Sequence, residues 1–149
     1  MSINDYEAAI LLEAFARDAR FGPDAIALDG DPLTWPLEER PVIYVAGYYS
    51  ACPTQGVANA VEAYEKLLAV GWIPLVPHVS MLIDMLAPNT PEMWYGYDKA
   101  LLARCDFMYV CPDYLTAHSG GVLNEIEFAT KHGIPILYDV VAAKDRYAV

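Results

Sequence analysis

The segment from Ser119 to Glu125, with sequence SGGVLNE, has the residue types of a ligand site at the start of a helix. Ser119 can cap the helix, because its hydroxyl accepts a hydrogen bond from a backbone amide of the first turn. Gly120 and Gly121 lack side chains, so a ligand can approach the amides that follow. We therefore expect these three residues to bind a substrate.

Glu125 lies on the apolar face of this helix, at helical spacing from Val122 and Ala129. A carboxylate that faces the sheet near a ligand cleft is costly unless it has a partner or a chemical role. Glu125 is therefore a candidate catalytic residue. The alternative is that it caps neighbouring amides or pairs with a core hydroxyl, and the pattern alone leaves both interpretations open.

Asp98 is the second candidate catalytic carboxylate. It lies four residues after Trp94 and four before Leu102, which puts it on or beside the buried face of its helix. Taken alone, however, the position of Asp98 favours an ordinary solvated aspartate.

A loop of glycine, aromatic and hydroxyl residues follows the first apolar run. It consists of Gly47, Tyr48, Tyr49 and Ser50. Aromatic rings and a hydroxyl suit a base or a sugar that needs stacking and a hydrogen bond, so we expect these four residues to bind substrate. The alternative is a surface loop with two tyrosines. No GxGxxG motif follows the strand, so the loop is not a dinucleotide fingerprint.

His78 and Ser80 follow the second apolar run, and His78 is the last predicted substrate-binding residue. A single histidine is more often structural or solvated than catalytic, so this interpretation depends on its position. The three cysteines form no CxxC pair and no Cys/His group with zinc spacing. We expect no metal and no cofactor.

The elements that must position these residues alternate between strands and helices. Short apolar runs predict strands at residues 42–46, 73–76, 107–111 and 134–138. Helical spacing predicts helices at residues 57–70, 91–104 and 120–132, and a loop with a short helix at residues 77–86. This alternation indicates βαβ units with a parallel sheet that is covered on both faces.

The expected fold is an α/β, flavodoxin-like (Rossmann-like) three-layer sandwich with four to five parallel strands. Pro74 and Pro135 lie in the second and fourth runs, and proline is tolerated on edge strands. The strand order 2-1-3-4 places both of these runs at edges. Ligands of such sheets bind beyond the carboxyl ends of the strands, so residues 47–56, 77–91 and 112–121 should surround the site.

The 149 residues divide into an N-terminal arm, 1–40, and the α/β domain, 41–149. The arm is predicted to contain one amphipathic helix over residues 1–22, followed by an irregular segment rich in proline, glycine and aspartate. A third interpretation of the chain, as an interaction protein built on this helix, explains the arm and leaves the cleft unexplained.

The composition limits the partners. A net charge of −11 without a basic patch argues against a nucleic-acid polymer. No apolar run approaches the roughly 18 residues that span a bilayer, and an odd number of cysteines suits a reducing compartment, so we expect a cytoplasmic protein. The hydrophobic content of 56% predicts a buried subunit interface, and hence a homo-oligomer.

Three short motifs occur in order between residues 42 and 138. Residues 44–50 read YVAGYYS; Asp98 precedes Asp106 by eight residues; and Ser119, Gly121 and Glu125 are followed by Gly133 and Pro135. In their order and spacing these motifs resemble the nucleoside 2-deoxyribosyltransferase-like group. That group includes deoxynucleotide N-hydrolases and small uncharacterised bacterial and phage relatives.

The resemblance implies an enzyme that cleaves an N-glycosidic bond. The glutamate matching Glu125 would attack the anomeric carbon of a 2-deoxyribose, and water or another base would then take the sugar. The residue matching Asp98 would position the sugar hydroxyls or protonate the leaving base. Ser119 and the Gly120-Gly121 amides would hold the 5′ end of a (deoxy)nucleoside or its monophosphate. Members of the group assemble as dimers or larger.

One departure from the group concerns the phosphate. The hydrolase branch has an arginine in its first loop, whereas residues 48–56 contain no basic residue. This leaves free nucleosides open as substrates. The alternative function is a non-catalytic nucleotide-binding or sensor module on the same fold, although a binding module has little use for two inward carboxylates.

Overall fold

The computed structural model describes residues 36–146. The helix predicted over residues 1–22 and the arm as far as residue 35 lie outside the described residues. Within this range a sheet of four parallel strands has the order β2-β1-β3-β4, which confirms the predicted flavodoxin-like α/β fold. The strands are β1 Val42–Ala46, β2 Ile73–Leu75, β3 Phe107–Val110 and β4 Ile136–Leu137.

The two central strands, β1 and β3, are almost entirely buried, as their continuous apolar runs predict. Both prolines lie at the edges of the sheet. Pro74 is in the edge strand β2, and Pro135 directly precedes the edge strand β4, where its carbonyl accepts a hydrogen bond from the Met108 amide at 2.9 Å. The edge positions therefore follow from the sequence.

Five α-helices connect the strands. They are α1 Pro53–Ala69, α2 Ser80–Leu86, α3 Pro91–Leu102, α4 Tyr114–Ala117 and α5 Gly120–Lys131. Short 3-10 turns occur at Leu37–Glu39, Pro77–Val79 and Ala143–Asp145. The helices alternate with the strands as the sequence predicts.

Two details of the helices differ from the prediction. Helix α1 begins at Pro53, four residues before the predicted start at 57, because a proline fits the first position of a helix. The four-residue α4 was not predicted. Asp113 begins it by accepting a hydrogen bond from the Thr116 amide at 2.7 Å, and so short a helix has no apolar periodicity to detect.

The sheet separates two apolar layers. Side chains at alternate positions of β1 and β3, Ile43, Val45, Phe107 and Tyr109, pack with α1 and Trp72 on one face. The intervening positions, Tyr44, Ala46, Met108 and Val110, pack against α3 and α5 on the other. Period-two alternation thus sends Tyr44 towards the helices that carry both candidate carboxylates.

None of the helices between residues 36 and 146 is long and apolar enough to cross a membrane.

Candidate active site

A cavity of about 320 Å³ lies beyond the carboxyl ends of the strands. Its walls come from the loop after β1, the turn and helix after β2, helix α3 and the first turns of α5. They are formed by Gly47, Tyr49, Ser50, Pro77, His78, Ser80, Met81, Asp84, Asn89, Pro91, Trp94, Tyr95, Asp98, Ser119, Gly121, Val122 and Glu125. The cavity is within the size range of small-molecule sites.

Eight of the ten predicted site residues line this cavity. They are Gly47, Tyr49, Ser50, His78, Asp98, Ser119, Gly121 and Glu125. The structure therefore brings together residues that are up to 78 positions apart in the chain (125 − 47).

Tyr48 and Gly120 are not among the lining residues. The Tyr48 side chain is buried, and its backbone amide donates to the Thr116 hydroxyl at 3.1 Å, so Tyr48 anchors the loop from behind. Gly120 is exposed, and a Cβ added there would meet no atom within 4 Å. Both residues were predicted to bind substrate, and neither of them lines the cavity.

Glu125 reaches the cavity from the second turn of α5. The Ser119 hydroxyl caps this helix by accepting a hydrogen bond from the Val122 amide at 3.4 Å. The hydroxyl of Tyr44, a fully buried residue of β1, donates to Glu125 Oε1 at 2.8 Å. The carboxylate thus pairs with a core hydroxyl and also faces the cavity, which combines the two interpretations that the sequence left open.

The protonation of Glu125 reflects this position. Its pKa is raised to about 7: burial is the largest cause and the negative charge of Asp98 adds to it, whereas the Tyr44 hydrogen bond and the positive charge of Lys99 oppose the change. Glu125 therefore titrates near neutral pH, as catalytic carboxyl groups often do.

Asp98 reaches the cavity from α3. Burial raises its pKa to about 6, and among the described residues none donates a hydrogen bond to its buried Oδ1. The alternative of a solvated mid-helix aspartate is therefore wrong. A buried carboxylate oxygen without a partner is uncommon, and it indicates a structural or functional role for the side chain.

His78 holds the loop that follows β1. Its Nε2 lies 3.1 Å from the carbonyl oxygen of Gly47 and 3.2 Å from that of Tyr48, so in the neutral ring this nitrogen carries the proton and donates. Burial lowers the pKa of His78 against the effect of these hydrogen bonds. His78 Nδ1 is buried without a partner in the described part of the chain.

Gly47 permits the close approach of this histidine. A Cβ added at Gly47 would lie 3.3 Å from Cys111 Sγ and 3.4 Å from His78 Nε2, at the tight end of ordinary contacts. Any larger side chain would have to move the ring that supports the loop. The glycine of the first loop therefore has a packing role as well as a place in the cavity wall.

Sequence reasoning missed two polar residues of the site. Tyr44 gave no signal, because its hydroxyl stands in an otherwise apolar strand. Asp84 gave a signal that was overlooked: it lies three residues after Met81 and thus shares the inner face of α2. Its Oδ1 accepts hydrogen bonds from Trp94 Nε1 at 2.6 Å and the Asn89 amide at 2.9 Å, which join α2 to α3.

The cavity is strongly acidic. Asp84, Asp98 and Glu125 line it, and among the described residues of its wall there is no lysine or arginine. The hydrogen bonds from the Asn89 amide and the Trp94 indole hold the pKa of Asp84 below its usual value, so this group is ionised at neutral pH. Within residues 36–146 no three His, Cys, Asp or Glu side chains are grouped so that they could hold a metal ion.

Comparison with known proteins identifies the family of the chain. A family model described as a domain of unknown function, DUF7768, matches residues 41–139. None of the curated proteins and none of the solved structures matches the chain. The matched segment spans well over half of the chain and includes all the described residues that line the cavity. The chain therefore belongs to the DUF7768 family.

Proposed function

We propose that the protein cleaves the N-glycosidic bond of a (deoxy)nucleoside or nucleoside monophosphate, with Glu125 as nucleophile and with transfer of the sugar to water or another base. The single observation that carries this proposal is the pair of Glu125 and Asp98. Both carboxyl groups face one cavity, and both have a raised pKa. Retaining glycoside cleavage uses two such groups around an oxocarbenium-like transition state.

The contacts of Glu125 support its role as the nucleophile. The Tyr44 hydroxyl holds Oε1 at 2.8 Å and favours the ionised form of the carboxylate. One oxygen is fixed in this way, and Oε2 is the oxygen that attacks the anomeric carbon. Asp98 also lines the cavity and takes the second role, which is to bind the sugar hydroxyls or protonate the leaving base.

The remaining walls suit the two halves of a nucleoside. Tyr49, Trp94 and Tyr95 supply aromatic surface against which a base can stack. Ser119 and Gly121 lie at the start of α5, where a hydroxyl and backbone amides can bind the 5′ end of the sugar. The carboxylates lie on the same two helices, Asp98 on α3 with Trp94 and Tyr95, and Glu125 on α5 with Gly121.

A non-catalytic nucleotide-binding module is the second candidate. The Tyr44–Glu125 hydrogen bond favours it, because this contact already satisfies one oxygen of the carboxylate without any substrate. In that case the cavity would bind a nucleoside or nucleotide and release it unchanged. The two candidates differ in one observable, the appearance of free base.

The test is a chromatographic assay of base release and base exchange. Wild type and Glu125→Gln are incubated with a panel of nucleosides, deoxynucleosides and their monophosphates, with and without a free acceptor base. Glu127→Gln is the matched control, because Glu127 lies two positions along the same helix and forms an exposed ion pair with Lys131 at 3.1 Å.

We expect wild type and Glu127→Gln to release base, and we expect Glu125→Gln to lose activity by at least about 10³-fold. If wild type binds members of the panel and yields no product, the enzyme proposal fails and the binding module takes its place. If Glu125→Gln retains full turnover, Glu125 is not the nucleophile.

A further inference from the structure

The turn between α2 and α3 is held by several hydrogen bonds. Asp84 Oδ1 accepts from the Asn89 backbone amide at 2.9 Å, and the Asn89 side-chain Nδ2 donates to the Ala87 carbonyl at 3.0 Å. Thr90 then caps α3 by accepting from the Met93 amide at 3.2 Å. Both the backbone and the side chain of Asn89 are therefore oriented before any ligand binds.

The side-chain amide of Asn89 has hydrogen-bonding capacity left over. Asn89 is exposed and lines the cavity. The Ala87 carbonyl takes one of the two Nδ2 protons, and within residues 36–146 no group donates to Oδ1. Since a carbonyl can only accept, this contact also fixes which end of the amide is the nitrogen. One N–H and the oxygen remain for a ligand, and asparagine uses this pair to bind the edge of a base.

Trp94 stands next to this residue, because both are bound to the same atom. The indole N–H donates at 2.6 Å to Asp84 Oδ1, the oxygen that also accepts from the Asn89 backbone. The Tyr97 ring contacts the indole almost perpendicularly, at 84° and with 5.6 Å between the ring centroids. Trp94 lines the cavity, and these two contacts fix its ring there. A fixed indole is a suitable stacking surface for a flat heteroaromatic ring.

Asp84 connects the turn to the indole, and this role is positional. Its Oδ1 binds one donor from the turn and one from α3, which fixes Asn89 and Trp94 relative to each other. Asp84 also interacts with a positive group outside the described residues. What matters for the site is therefore the acceptor oxygen of Asp84, and not a free negative charge.

We propose that the α2–α3 junction is the base subsite of the cavity, with Trp94 as the stacking surface, Asn89 as the residue that binds the edge of the base, and Asp84 as the positioning residue for both. The inference rests on the proposed function, because it names the part of the wall that selects the base of that substrate. The ligand that fits is a flat heteroaromatic base with a hydrogen-bond donor and an acceptor at neighbouring positions of one edge.

The place of this subsite agrees with the role proposed for Asp98. Asp98 lies four residues after Trp94 on α3, which puts the two side chains on one face of the helix, a turn apart. Both line the cavity. A base that stacks on Trp94 is therefore close to the carboxyl group that is proposed to protonate it.

The experiment compares nucleosides that differ in one edge group. The pairs are 2′-deoxyadenosine with purine 2′-deoxyriboside, 2′-deoxycytidine with 2-pyrimidinone 2′-deoxyriboside, and 2′-deoxyguanosine with 2-aminopurine 2′-deoxyriboside. Each analogue lacks the amino group or the ring N–H that would donate to Asn89 Oδ1. Dissociation constants are measured by calorimetry in Glu125→Gln, so that the ligand is not consumed, and kcat/KM is measured with Glu125 intact. For the base that binds best, we expect the natural member to be favoured at least about tenfold.

Asn89→Ala tests the edge contact. It removes the side-chain donor and acceptor and keeps the backbone amide that binds Asp84. We expect the preference within the pair to fall below about threefold. Asn59→Ala should leave the preference unchanged and is the matched control, because Asn59 lies on α1, bonds to Gln55 at 2.7 Å and does not line the cavity. Because both members are compared within one variant, any loss of folded protein cancels in the ratio.

Two replacements of Asp84 separate its acceptor oxygen from its charge. Asp84→Asn keeps a carbonyl oxygen for Asn89 and Trp94, whereas Asp84→Leu has no acceptor. Both lose the charge, and with it the attraction of the positive partner, so this loss is common to the two variants. We expect Asp84→Leu to raise the dissociation constant of the preferred nucleoside at least about tenfold, and Asp84→Asn to raise it less than about threefold.

Trp94→Leu tests the stacking surface. It should raise the dissociation constants of both members of a pair at least about tenfold, because stacking does not depend on the edge groups. Trp94→Phe keeps a flat ring and should lose less. Tyr114→Leu is the control, since Tyr114 is exposed and does not line the cavity.

The outcomes separate this inference from the proposed function. A preference that Asn89→Ala removes, together with near-normal binding by Asp84→Asn, supports the inference; if base is then not released, only the catalytic proposal fails. Equal binding within every pair, a preference that Asn89→Ala leaves unchanged, or unchanged binding by Trp94→Leu overturns the inference and leaves N-glycosidic cleavage to the base-release assay. Equal losses in Asp84→Asn and Asp84→Leu overturn the positioning role of Asp84. Binding of none of the nucleosides overturns both proposals.

Discussion

At the scale of single residues, the ionisation of Glu125 is set by contacts that act in opposite directions. Burial and the negative charge of Asp98 raise its pKa, the hydrogen bond from Tyr44 lowers it, and the net value is about 7. A nucleophilic carboxylate must be ionised. The pH dependence of the reaction should therefore report this balance.

We predict that kcat/KM rises with pH through an apparent pKa near 7. Tyr44→Phe removes the donor that favours the ionised carboxylate, so the rise should move to higher pH. Asp98→Asn removes a neighbouring negative charge and should move the rise to lower pH. Residual activity of purified variants, followed by base release across a pH series, measures both shifts.

The pH profile is expected to shift in opposite directions in Tyr44→Phe and Asp98→Asn. General damage to the fold would lower the rate in both variants without shifting the profile in this way. Glu127→Gln serves as the control, because Glu127 is exposed and should leave the profile in place. A profile that rises near the ordinary pKa of a glutamate, and that neither Tyr44→Phe nor Asp98→Asn shifts, would contradict the assignment of Glu125.

The candidate carboxylates could be found from the sequence because each stands on an apolar helix face, where a charge is conspicuous. The partner of Glu125 could not be found in this way. A tyrosine is ordinary in a buried strand, and only the packing of α5 on the sheet shows that its hydroxyl reaches a carboxylate 81 positions away. Contacts between distant elements are specified by tertiary packing, which one sequence does not reveal.

At the scale of elements, the loop after β1 is held against the start of α1. Gly56 is buried in the first turn of α1, and a Cβ added there would lie 2.3 Å from the carbonyl oxygen of Tyr48. The obstructing atom is backbone, so neither a side-chain rotation nor a small shift can relieve the contact. The position of the loop, and with it one wall of the cavity, depends on this glycine.

We predict that Gly56→Ala lowers the free energy of unfolding by about 1–3 kcal/mol and also reduces activity, because the loop must move. Gly96→Ala is the control: Gly96 lies within α3, and a Cβ there meets nothing within 4 Å. Replacing a helical glycine with alanine at an open position should stabilise by roughly 0.5–1 kcal/mol. Urea unfolding followed by circular dichroism measures both.

Equal effects of the two substitutions would show that the close approach at Gly56 does not control stability. The sequence predicted the existence of α1 from its apolar spacing, yet gave no sign of this contact. Strands and long helices carry periodic patterns and are therefore predictable. The loop–helix contact depends on where two backbones meet, and no periodic pattern records that.

At the scale of the whole molecule, the doubly wound topology predicts where the cavity lies, which is beyond the carboxyl ends of the strands. Parallel strands end on one side, and the loops that follow them carry most of the predicted site residues. The fold thus accounts for the location, and the residues on its loops and helices account for the acidity. Helix α2 contributes residues to the cavity wall. The outer surface of the same helix is apolar.

This surface, here called the α2 face, consists of Val79, Leu82, Ile83 and Leu86. These residues are spaced at intervals of three and four, and they are half exposed or more; Leu86 is 90% exposed. A contiguous apolar surface of this kind is typical of an interface. It agrees with the homo-oligomer expected from the hydrophobic content, and we predict that copies of the chain associate through the α2 face.

Replacing Leu82 and Leu86 with aspartate should weaken this association, because each substitution would bury a charge in the interface. Sedimentation velocity over a concentration series should show a dimer or larger for wild type, and an apparent dissociation constant at least about tenfold higher for the double variant. Leu123→Asp is the control, since Leu123 is 53% exposed on α5, outside the α2 face. A monomeric wild type would refute the prediction, and dissociation caused by the control alone would place the interface on α5 instead.

Because α2 also contributes Asp84 and Met81 to the cavity, loss of the interface should lower base release together with association. A double variant that dissociates and retains full activity would separate the assembly from the site.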